Sequence, residues 1–104
     1  MKVAYQQGDV ILKKVEQLPK GVMKVSVSSQ LIVERGEGVN THCINDTDKV
    51  EVYDKDGVMY LKVTEPVNLV HEEHGIIEIF PGLYEKVKER EFDYDTEEAR
   101  NVLD

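Results

Sequence analysis

Apolar side chains in this chain recur at every second position or in short runs, and the runs are separated by clusters of glycine, proline, asparagine and aspartate. Period two puts alternate residues on opposite faces of an extended strand, so a chain written this way folds as sheets. Met23, Val25 and Val27 alternate with Lys24, Ser26 and Ser28, which predicts one apolar and one polar face. Val10 to Val15, Leu31 to Val33, Val58 to Val63 and Ile76 to Phe80 read as further strands, and Leu83 to Phe92 as a long last one. On that strand Tyr84, Lys86, Lys88, Arg90 and Phe92 share a side. Helical spacing is confined to the tail, where Asp95 stands three residues before Glu98 as in a capping box and Ala99, Val102 and Leu103 follow. The expected fold is one all-β domain over 1–104, a small barrel or sandwich of about seven or eight mostly antiparallel strands, with 95–104 as a short helical tail.

The punctuation between runs carries more detail. Leu18-Pro19-Lys20-Gly21 is turn material, and Gly36 to Asn40 forms a loop that delivers His42 and Cys43. The segments Val52-Tyr53-Asp54-Lys55-Asp56-Gly57-Val58 and Val70-His71-Glu72-Glu73-His74-Gly75-Ile76 share a pattern and predict sister hairpins, each a type I turn closed by a left-handed glycine. In that case the acids and the glycine of the second segment are turn chemistry. His74 would ride on an exposed tip, and only His71, at the strand end, would need a functional account.

At 104 residues the chain buries roughly two-thirds of its unfolded surface, enough for a core without metals or disulfides. Cys43 is the one cysteine, which excludes an intrachain disulfide and a thiolate cluster and fits a reducing cytoplasm. Neither a signal-peptide core nor a run long enough to span a membrane is present. The net charge of −8 opposes direct nucleic-acid binding and favours a basic protein partner. Residues 85–104 hold eight acidic and four basic side chains, so the acidity is weighted toward the C-terminus.

Three side chains could carry metal chemistry. His42, His71 and His74 could hold zinc, iron or nickel, with Glu72 or Glu78 as a fourth ligand, provided the fold brings them together. Cys43 beside a strand reads as a buried thiol and not as a nucleophile. No Ser/His/Asp arrangement or phosphate-binding loop is visible. Gly36, followed after five residues by His42, resembles the opening of the first cupin motif, and Pro81-Gly82 resembles part of the second; the next motif histidine falls at Ile44, and the second motif lacks its histidine. That resemblance implies a small β-barrel holding a metal with histidines and a carboxylate. The chain also resembles a group of small uncharacterised microbial proteins that open with a QGDV-like strand, here Gln7-Gly8-Asp9-Val10, and carry an HEEH-like element, here His71 to His74. No activity follows from that likeness. The expected function is a small acidic, soluble binding or accessory module acting through protein contacts rather than an enzyme. The alternatives are a degenerate cupin-like metal-binding protein or metalloenzyme using the histidines, and an acidic inhibitor that mimics nucleic-acid charge.

Overall fold

A computed structural model describes residues 2–35 and 41–88. Among them run strands β1 (Lys2–Gln7), β2 (Val10–Val15), β3 (Met23–Val25), β4 (Leu31–Arg35), β5 (Thr41–Ile44), β6 (Val50–Lys55), β7 (Val58–Val63), β8 (Val67–Val70), β9 (Ile77–Ile79) and β10 (Gly82–Lys88), with one turn of 3-10 helix at Thr47–Lys49. They form two antiparallel sheets, β1-β2-β10-β7-β6-β3 and β4-β5-β8-β9. One apolar cluster fills the space between them, drawing Val10, Leu12, Val52, Leu61 and Tyr84 from the first sheet and Leu31, Val33, Ile44, Leu69 and Ile79 from the second. None of the described helical segments is long and apolar enough to cross a membrane.

The all-β expectation holds, while the barrel and the strand number are corrected. Ten strands are described, and the sheets keep separate edges at β1, β3, β4 and β9. Where β1 comes alongside β9, no ladder closes the gap; the Phe80 N–H instead donates to the Tyr5 hydroxyl at 3.0 Å. The strand at Lys2–Gln7 was not expected, because its sequence KVAYQQ carries too few apolar residues to mark a face. The apolar face expected at Met23 and Val25 is also corrected. These residues are exposed, Met23 by 70 %, because β3 is the outer strand of the wider sheet and pairs only with β6. The helical tail at 95–104, the Gly36 to Asn40 loop, Arg90 and Phe92 lie outside the described residues.

The sister hairpins turn out to differ. Lys55 pairs with Val58 across Asp56-Gly57, and both central residues take positive φ, 53° and 85°, the signature of a type I′ turn and not of a type I turn with a bulge. The second segment makes no tight turn. β8 and β9 pair through Leu69 and Ile77, and the whole stretch from His71 to Ile76 crosses between them, with Gly75 outside the positive-φ region. Turn chemistry therefore does not account for VHEEHGI.

Two bulges aim side chains that alternation alone would misplace. The β4–β5 register gains one residue at Val33, so that Leu31 faces Ile44 but Glu34 faces His42. Val33 and Glu34 both turn inward as a result. A second bulge at Ala4 keeps Tyr5 opposite Leu12 and Gln7 opposite Val10.

Candidate functional site

Gln7, Val10 and Lys88 form one row across β1, β2 and β10 at an end of the first sheet, since Gln7 pairs with Val10 and Val10 with Lys88. Glu34 and His42 form the facing row of the second sheet. Polar bridges join the two rows. Gln7 Oε1 lies 2.9 Å from His42 Nδ1, and Glu34 accepts from Lys86 at 2.6 Å and from Lys88 at 3.1 Å. The apolar core thus ends in a polar layer.

His42 is 2 % exposed and sits where two other imidazoles reach it. The β5–β8 ladder pairs Cys43 with Val70, so one further step sets His42 beside His71. Their ring centroids lie 4.3 Å apart. The connection to β9 then folds back, bringing His74 to 4.6 Å from His71 and to 6.0 Å from His42, nearly parallel to the latter. The three candidate histidines converge, and this proximity is set by strand register and not by their spacing in the chain.

The β1–β2 turn forms the floor. Its two central residues are Gly8, at φ +59°, and Asp9. A Cβ on Gly8 would stand 2.7 Å from His74 Nε2 and 3.2 Å from His42 Cε1, so the rings rest directly on the glycine backbone. Asp9 Oδ1 lies 3.8 Å from His42 Nε2. The connection is tied down from below by the Gln7 amide, which donates to the Leu69 and Gly75 carbonyls. Glu73 N–H donates to His71 Nδ1 at 3.0 Å.

Electrostatics follow from this burial. Desolvation first, and then the charge of His71, hold the His42 imidazole below the ordinary histidine range, with His74 adding to the effect and Asp9 and Glu34 opposing it. Burial pushes the Glu34 carboxyl up, but hydrogen bonds and charge from Lys86 and Lys88 outweigh it and leave the group below the usual carboxylate range. Glu72 is held low by backbone N–H donors, its own and that of Thr41.

Of the carboxylates expected as ligands, Glu72 lies beside the cluster through Thr41, whereas Glu78 stands exposed on β9, with its neighbours Ile77 and Ile79 turned to the core. Cys43 lies on the face of β5 opposite His42 and Ile44, where the Gln30 amide reaches its sulfur at 3.6 Å. Among the described residues, no three His, Cys, Asp or Glu side chains stand with their donor atoms already arranged to hold a metal ion. The rings lie partly face to face. The sequence reading passed over Gln7, Gly8 and Asp9 as site residues. Their one signal was the QGDV likeness, which pairs this turn with the HEEH element without saying that the two touch.

No curated protein and no solved structure matches the chain. Residues 6–89, a span that includes all of these site residues, match the model of a family described as a domain of unknown function, DUF8820, and the chain belongs to that family.

Proposed function

We propose that this chain is a small binding module whose ligand is a divalent transition-metal ion, taken at His42, His71 and His74 with the Asp9 carboxylate beside them. The observation that supports it is the meeting of three imidazoles from two distant segments around a buried member, His42. His42 is the buried member; Gln7 partners its Nδ1, but its Nε2 lies 3.8 Å from Asp9 Oδ1, beyond hydrogen-bond distance, and a buried polar nitrogen left short of a partner is costly. A metal ion would satisfy it. His71 and His74 sit on an irregular connection at the surface, so rotation about their side-chain bonds can carry their nitrogens from ring contact to coordination. Imidazole and carboxylate suit zinc, nickel and ferrous iron, and Cys43 faces away, which removes the thiolate that would favour softer ions. The cupin-like reading enters only through this ligand chemistry.

The test is metal titration of tag-free protein by calorimetry with Zn²⁺, alongside His42→Ala. One equivalent bound, weakened at least about tenfold by the substitution, is expected, a loss of about 1.4 kcal/mol. Binding that His42→Ala leaves unchanged, or no binding below millimolar Zn²⁺, would refute it.

A further inference from the structure

Gln7 is 2 % exposed, and both ends of its amide are committed. Its Nε2 donates to the Leu69 carbonyl at 2.9 Å and to the Gly75 carbonyl at 2.8 Å. A carboxamide NH₂ has two protons, and both are used. Flipping the amide would set Oε1 against two carbonyl oxygens, so its orientation is fixed by acceptors on either side. Oε1 then faces His42 Nδ1 at 2.9 Å and can only accept. The proton between them must belong to Nδ1. A neutral imidazole has one N–H, which leaves His42 Nε2 with a bare lone pair on the side of Asp9.

His71 is held in the opposite form. The Glu73 N–H donates to its Nδ1, so the ring proton of a neutral His71 sits on Nε2. The two touching rings therefore differ in readiness. A cation meets an available lone pair at His42 Nε2, whereas at His71 it must displace the Glu73 N–H or wait for the proton to change nitrogen.

We infer that Gln7 is the positioning residue of the histidine cluster: it fixes His42 as the Nδ1–H tautomer, makes Nε2 the first ligand, and clamps both ends of the connection that carries His71 and His74. The inference rests on the metal-binding reading for its purpose but not for its measurement. Orientation of a ligating imidazole through its second nitrogen is a general device, and losing such a partner weakens metal affinity about 10- to 100-fold.

Nitrogen NMR of histidine-labelled protein, without added metal and at about pH 8 where imidazoles are neutral, reads the tautomer directly. The wild-type chain should show a protonated Nδ1 and a bare Nε2 at His42. Gln7→Met keeps the length of the side chain and removes its amide; it should release the tautomer preference and weaken Zn²⁺ binding about 10- to 100-fold. Gln7→Glu keeps an acceptor for Nδ1–H but sets its second oxygen against the Leu69 and Gly75 carbonyls, so where it folds it should hold the Nδ1–H form while losing stability. A residue that merely supported the fold would change stability and affinity without moving the tautomer. An Nε2–H tautomer in the wild-type chain, or an unchanged His42 in folded Gln7→Met, would overturn the inference; if that variant does not fold, the wild-type spectrum decides alone. An Nδ1–H tautomer in a chain that binds no Zn²⁺ would uphold the role of Gln7 and refute the metal-binding reading.

Discussion

Replacing Gly8 by alanine tests whether the β1–β2 turn is the floor of the site. The backbone there has φ +59°, and an L-residue forced into that region costs about 1–2 kcal/mol. The new methyl would also stand 2.7 Å from His74 Nε2 and 3.0 Å from His74 Cδ2. His74 is exposed at the end of a flexible side chain, so it moves aside and adds little to the stability loss. Its departure removes one imidazole from the cluster. Gly8→Ala should therefore lower stability by about 1–2 kcal/mol, shifting the urea midpoint by roughly 0.5–1 M, and weaken Zn²⁺ binding about tenfold or more. Gly8→Asn separates the two effects, because asparagine tolerates positive φ better than alanine while carrying the same Cβ. It should unfold closer to the wild type and yet bind Zn²⁺ as poorly as the alanine variant. Equilibrium urea unfolding and calorimetric titration measure both quantities. If Gly8→Ala matches the wild type in each, the rings do not rest on this turn and the site geometry is wrong.

Two further outcomes follow from the same structure. Below the ordinary histidine value of 6.5, the unfolded chain takes up a proton that the folded chain resists at His42, so stability falls as the pH drops from 6.5 toward the lowered folded value. Glu34 adds a second loss below 4.5, as the carboxylate held by Lys86 and Lys88 is protonated; a urea midpoint that stays flat from about pH 8 to pH 5 would refute the first step. Gly57→Ala at φ +85° should cost about 1–2 kcal/mol. Gly75→Ala, where φ is negative and a Cβ meets nothing within 4 Å, should be neutral or stabilise by about 0.4–1 kcal/mol. Equal losses at the two glycines would show that the VHEEHGI segment is a tight hairpin after all.

The all-β class and several strands were legible in the sequence because period two is a local property: Val10–Val15 and Val58–Val63 are strands as expected, and Tyr84, Lys86 and Lys88 do share a face. Local pattern misled where two segments looked alike. VYDKDGV closes on Asp56-Gly57 as a two-residue turn, but VHEEHGI has Glu-Glu where such a turn needs positive φ, and the chain takes a longer path.

The sequence by itself determined that this chain folds into sheets and that it carries three imidazoles able to ligate. Only the tertiary structure decided that they meet. That proximity depends on Cys43 pairing with Val70 across 27 residues of chain and on Gln7 reaching carbonyls more than sixty residues away. Each is a choice of register between strands remote in sequence. A one-residue slip reverses every face, and no local pattern records which register is taken.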